Sequence, residues 1–199
     1  MWPFRWKERA ILPKTPAWER VLSPAFPVAY DEQGRRHRTD IPYLLPKDAQ
    51  EQERLNYQHY LFRHILQGKH IFAPVDVLLK TGGQVLDVGC GTGRWGGDIA
   101  SLYRKTQVIG LDIEDIPRTP SMPLNYSFQR GDVLHGLPFE AHQFAYVHQR
   151  LLVAGIPLAK WPFVVGELRR VTAPRGWAEV VEMGTTFHDA GPATKQFLG

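Results

Sequence analysis

Cysteine is nearly absent from this chain: Cys90 is the only one in 199 residues. That excludes a disulfide scaffold and a cysteine zinc site. The eight histidines are scattered without metal-ligand spacing, so no metal site is expected. No apolar run is long enough to span a bilayer as a helix. The start, Met1-Trp-Pro-Phe-Arg-Trp-Lys-Glu-Arg9, is basic but lacks the apolar core of a signal peptide, which makes the cytoplasm the default compartment. Charge of one sign is not in large excess either. A net charge of +4, with acids and bases interspersed, permits a nucleic-acid partner without calling for one. The densest basic cluster, Arg35-Arg36-His37-Arg38, follows Asp31, Glu32 and Gly34 and reads as an exposed loop.

What remains is ordinary for a soluble globular chain, with 43% hydrophobic and 22% charged residues. Residues 1–47 are rich in Pro, Trp and Arg and show little periodicity. They read as an irregular N-terminal arm whose Trp2, Phe4, Trp6 and Trp18 pack on the domain or on a partner. A domain over 48–199 follows. Asp48-Ala-Gln-Glu51 has the form of a capping box opening a helix, Leu55, Phe62, Ile65 and Leu66 make its stripe, and Gly68 stops it.

The informative stretch is Val85-Leu-Asp87-Val-Gly89-Cys90-Gly91-Thr-Gly93-Arg-Trp95. A short apolar run ends beside an aspartate, and three glycines alternate after it. Alternating glycines let backbone approach a ligand closely. The helix pattern that follows points its amides and positive dipole end at the turn. Gly91-x-Gly93-x-x-Gly96 also matches the dinucleotide fingerprint, which keeps NAD in view. A pyrophosphate is ill served by the carboxylate of Asp87, however. S-adenosylmethionine (SAM), with its sulfonium and ammonium, is well served by it. Two more apolar runs end in acids, Gln107–Asp112 and Tyr126–Asp132. Asp112 is placed to accept ribose hydroxyls. Asp132 is placed to accept from the adenine amino group, while the Val133 amide donates to a ring nitrogen. Singly, each acid is equally an ordinary capping or loop residue. Cys90 has no identifiable partner base, so a small loop residue is the simpler reading than a nucleophile.

With these residues in place, the chain resembles a class I SAM-dependent methyltransferase from about Gln84 to Glu182. Within that class it is similar to the group containing fungal regulators of secondary metabolism, through Glu53-Arg54-Leu55, Gln58-His59, Val147-His148-Gln-Arg150 and Gly176-Trp177-Ala-Glu-Val180. The resemblance implies an α/β, Rossmann-like fold: a parallel sheet with helices on both faces, lacking the last two strands. Strands are expected at 84–88, 107–111, 125–130, 143–148 and 177–182, the last entered through Pro174-Arg-Gly176. Helices are expected at 94–104 and near 160–171, with a prolyl loop (Pro117, Pro120, Pro123) before the third strand. Gly191-Pro192 reads as the start of a further helix. If the chain natively ends here, the uncovered fifth strand implies pairing with another chain or low solubility.

The resemblance also implies that Asp87, Gly89, Cys90, Gly91, Gly93, Asp112, Ile113, Asp132 and Val133 hold SAM. The helix carrying Tyr57, Gln58 and His59 would help cover it. The reaction implied is direct methyl transfer to an O or N of a small molecule, with a protein acceptor left open. His148, at the end of the fourth strand, is the candidate base, with Glu182 a weaker one. The alternative for His148 is a residue that shapes the pocket. Arg150 is a candidate holder of an anionic acceptor. Methylators of base amino groups carry Asp/Asn-Pro-Pro-aromatic where this chain has His148-Gln149-Arg150-Leu151, and no cysteine follows the fourth strand for base C5 chemistry. A non-catalytic SAM-binding regulator or interaction protein is the alternative function.

Overall fold

The computed structural model describes residues 27–41, 43–115, 121–184, 189 and 191–198. Trp2, Phe4, Trp6, Trp18, Pro117 and Pro120 lie outside the described residues. Five strands make one fully parallel sheet: β3 (Gly83–Val88), β4 (Thr106–Asp112), β5 (Tyr126–Arg130), β6 (Phe144–Arg150) and β7 (Thr172–Val181). Their spatial order is β5-β4-β3-β6-β7. Strand order therefore reverses between β3 and β6 after running outward through β4 and β5. Ligands of open parallel sheets bind at the strand carboxyl ends beside such a switch point.

Burial on both faces explains why β3 is a near-continuous apolar run. Leu86 and Val88 join the cluster that packs on Val164, Leu168 and Val171 of α4 (Trp161–Val171). Val85 joins the opposite cluster with Leu79 of α2 (Asp76–Thr81) and Trp95, Ile99 and Ala100 of α3 (Arg94–Leu102). Each fully buried Leu, Val or Ile contributes roughly 1.5–3 kcal/mol, so these two layers supply the main drive for folding.

The strand preceding the chain's end begins earlier than its sequence suggests. β7 starts at Thr172, and the Pro174-Arg175-Gly176 turn lies inside it. Arg175 has φ +65°, and the register on β6 jumps from Phe144↔Thr172 to Tyr146↔Trp177. This irregularity explains why Phe144 and Tyr146, two apart, enter opposite core layers. Among the described residues β7 is a sheet edge, with Trp177 and Val180 exposed. The helix expected after Gly191 is α5 (Pro192–Leu198).

Helix α1 (Ala49–Ile65) starts where the capping box predicts, with the Asp48 carboxylate accepting from Glu51 N at 2.9 Å. Glu51 turns to Arg54, at 2.7 Å, rather than back to the cap. Gly68, at φ +81°, donates to Arg63 O and ends the helix region.

The basic cluster read as an exposed loop is instead a strand. β1 (Val28–Tyr30) and β2 (Arg36–Arg38) form an antiparallel hairpin within the stretch read as irregular. Arg38 is buried and donates to Glu114 at 2.8 Å, just beyond β4. Arg35 makes a two-pronged contact with Asp48, at 2.7 and 2.9 Å, which ties the hairpin to the start of α1. Short strands rich in Arg and His have no apolar alternation, so the pattern carried no strand signal.

Several carboxylates in this framework titrate below their usual range. Asp48 is lowered by its bond to Arg35, Asp98 by His59, and Glu167 by Arg170. Depressed carboxylates contribute stability above their unfolded value of about 4, and that stability is lost as pH falls through the lower folded values. Urea midpoints are therefore expected to hold between about pH 7 and 5 and to fall steeply below about pH 4. A midpoint that stays level as pH falls well below about 4 would show that these contacts contribute nothing.

Candidate functional site

One cavity of about 470 Å³ lies at the carboxyl ends of β3, β4 and β6 and the loop after β5. Asp87, Gly89, Cys90, Gly91, Gly93, Asp112, Ile113, Asp132, Val133 and His148 all border it. Residues spread over sixty positions thus meet because successive parallel strands end at one edge.

The glycine loop is built by alternating left-handed residues, with φ of +69° at Gly89, +55° at Gly91 and +72° at Gly93. A Cβ on Gly89 would meet the end of the Leu152 side chain at 2.8 Å, which would have to move, and the left-handed backbone there favours glycine. The loop is fastened to β4: Gly89 N and Cys90 N donate to Leu111 O, and Gly91 N donates to Asp112 Oδ2 at 2.8 Å. Gly93 then opens α3 without a side-chain cap.

Gly96, the third glycine of the dinucleotide match, has a packing explanation. A Cβ there would lie 2.5 Å from the Tyr126 ring. Gly93 and Gly110 face the same phenol, and Tyr126 is wedged beneath the loop. Sequence reasoning missed this role of Tyr126. Its signal was present as glycines on two elements that face one aromatic.

The acids differ in their surroundings. Asp112 accepts from Gly91 N and Glu114 N, yet burial pushes its carboxyl up, against the lowering effect of Lys47. Asp132 caps the short turn Val133–His135 through Leu134 N and pairs with His135 at 2.8 Å. Asp87 is buried, with Oδ1 3.0 Å from His148 Nδ1 and Oδ2 buried without a hydrogen-bond partner among the described residues.

His148 is 2% exposed and stacks on Trp95, centroids 3.7 Å apart and planes within 6°. Asp87 and His148 are register partners on adjacent parallel strands, so the pairing follows from the sheet itself. With Nδ1 committed to a carboxylate, Nε2 is the ring nitrogen left for a ligand. Glu182 is differently employed. It accepts from Leu152 N at 2.9 Å and Val153 N at 3.2 Å, shaping the loop after β6, and it does not border the cavity. The Cys90 thiol is pushed up by burial, the opposite of what a nucleophile needs.

From α1, Gln58 and His59 border the cavity, whereas Tyr57 is 71% exposed and does not. The chain before α1 contributes a wall that the sequence did not reveal: Arg36, Tyr43 and Lys47. Lys47 Nζ lies 4.0 Å over the Tyr43 ring, and burial pushes the Tyr43 hydroxyl up to about 12. Among the described residues no group of His, Cys, Asp and Glu is arranged to hold a metal ion, and no helix is long and apolar enough to cross a membrane.

Residues 85–176 match the family described as a methyltransferase domain. The chain is 33% identical over 161 residues to methyltransferase str2 of Strobilurus tenacellus, covering 79% of this chain and 56% of that protein. It is 33% identical over 160 residues to the secondary metabolism regulator laeA of Aspergillus fumigatus, covering 77% of this chain and 40% of the regulator. The chain therefore spans about half the length of these relatives. The solved aminoglycoside resistance methyltransferase NpmB1 is similar over 49% of this chain and 54% of its own, at 29% identity and a TM-score of 0.41.

Proposed function

We propose that this chain, whose residues 85–176 match a methyltransferase domain, transfers a methyl group from SAM to an oxygen or nitrogen of a small-molecule acceptor. The observation that carries this reading is the gathering of Asp87, Asp112 and Asp132 with the glycine loop around one cavity. The residues present fit the cofactor. The Oδ2 atom of Asp87, buried and without a hydrogen-bond partner among the described residues, suits a cationic group, and the loop's glycines leave backbone open where side chains would block it. Asp112 has lone pairs beyond its two amide contacts for ribose hydroxyls, and Asp132 with the Val133 amide suits an adenine edge. When bound, SAM supplies a methyl group already activated by its sulfonium.

The chain's own contribution is then alignment, exclusion of water and, for a protonated acceptor, a base. His148 takes that last role. Asp87 holds Nδ1–H, which leaves Nε2 as the proton acceptor and stabilises the imidazolium once formed. The Aspergillus relative is named a secondary metabolism regulator, which supports a small-molecule acceptor.

The name of the Aspergillus relative also favours a second reading, a SAM-binding regulator without methyl transfer. Calorimetric titration with S-adenosylhomocysteine (SAH), run beside NAD, tests what both readings share. SAH is expected to bind and NAD not to. Binding of NAD alone would overturn both. Methyl transfer from labelled SAM to any acceptor then separates enzyme from regulator.

A further inference from the structure

Arg150 ends β6 two residues beyond His148, so both side chains leave the same face of the sheet. It borders the cavity and is partly buried. Among the described residues no carboxylate lies within ion-pairing distance of it, in contrast to Arg35, Arg38, Arg54, Arg63, Arg130 and Arg170. Its hydrogen-bond partner is a ring nitrogen: Nη2 donates to His59 Nδ1 at 3.1 Å. A guanidinium cannot accept, so His59 Nδ1 carries no proton and its Nε2–H points at Asp98, 3.1 Å away. Asp98, held also by Arg63, therefore orients His59, and His59 braces one end of Arg150. The Phe62 ring lies 5.6 Å from the guanidinium carbon. Burial lowers the pKa of Arg150, with only the charge of Asp87 acting against it. A braced, planar fork without a counter-ion is suited to grip a carboxylate with two parallel bonds.

Resting on the methyl-transfer reading, we propose that the acceptor is a small carboxylic acid, anchored by its carboxylate on Arg150 and methylated at a separate hydroxyl or amine presented to His148. For a hydroxyl, the O–H proton passes to His148 Nε2. The oxygen's electron pair forms the new O–C bond as the C–S bond breaks, and its pair stays on sulfur. The carboxylate is a spectator throughout. Arg150 sets specificity, and Asp98 and His59 are positioning residues that act through it.

The test uses the full chain saturated with SAH. Binding of 4-hydroxybenzoate and 3-hydroxybutyrate is measured by calorimetry, each beside its neutral amide. At least one acid is expected to bind on the order of 10-fold more tightly than its amide. Arg150→Gln is expected to erase that preference and leave SAH affinity unchanged. Arg150→Lys, which keeps the charge but loses the fork, is expected to retain only part of the preference, and it serves as a second variant should the first fail to fold. His59→Gln, which removes the brace but no charge, is likewise expected to retain part of it. Equal binding of acid and amide in both pairs overturns the anchor. So does weaker SAH binding in Arg150→Gln, which would assign the fork to the cofactor's own carboxylate. A base-labile methyl ester as product overturns the spectator role. Failure of the parent chain to bind SAH would instead sink the methyl-transfer reading.

Discussion

Asp112→Ala is expected to weaken SAH binding by on the order of 100-fold, about 3 kcal/mol. Hydrogen bonds from two ribose hydroxyls to an ionised carboxylate contribute roughly 1.5–3 kcal/mol each. Two terms modify that sum. Alanine removes a carboxylate whose burial pushes its pKa up, which relieves a cost of the free protein. It also strips Gly91 N of its acceptor and loosens the loop where backbone meets ligand. The first offsets part of the loss and the second adds to it. Asp112→Asn keeps an acceptor for Gly91 N and is expected to lose less, about 10-fold. The pH dependence carries the same sign. The ligand's hydroxyls need the carboxylate, so affinity falls as pH drops through the raised Asp112 value, and the alanine variant loses that dependence. Calorimetry over a pH series checks both. An alanine variant that binds as tightly as the parent would remove Asp112 from the site.

The same residue shows what the sequence makes legible. β3 and β4 read clearly because a strand buried on both faces is a run of apolar residues, and an acid in such a run breaks the pattern visibly. Parallel strands then carry those acids to one edge without further information. α1 read clearly because Asp48 caps it through a local contact. What stayed hidden depends on contacts between distant segments. The hairpin that carries Arg36 has strands of three residues, and its arginines are held by Asp48 and Glu114, 13 and 76 positions away. Tyr126 fills space left by Gly96 and Gly110 on two other elements. The kink inside β7 hides behind a proline that, taken alone, marks a strand's beginning. His148 was legible as a residue at a strand end. That its neighbour would be Asp87 required the β3–β6 register, which no single strand encodes.

That register makes the pair testable as a unit. His148→Leu is expected to lower stability by about 3 kcal/mol, the scale of leaving a buried carboxylate without its hydrogen-bond partner. Leucine nearly fills the space, so the cost arises mainly at Asp87, left buried with neither oxygen bonded to a side chain of the described residues. Losing the Trp95 stack adds about 0.5–1.5 kcal/mol. If the cost lies in the stranded charge, removing that charge recovers it. Asp87→Leu combined with His148→Leu is therefore expected to be more stable than His148→Leu alone, by about 2 kcal/mol. Denaturant midpoints of the two single variants, the double variant and the parent close the cycle. Additive losses would mean that the two residues do not interact. SAH separates the structural role from the binding role. If Asp87 Oδ2 meets a cationic group of the ligand, saturating SAH stabilises His148→Leu as it does the parent, because that oxygen survives the change. It stabilises the double variant little, because there the oxygen is gone. The more stable of the two mutants in the free state then becomes the poorer binder. That inversion is what a carboxylate divided between a histidine and a ligand requires.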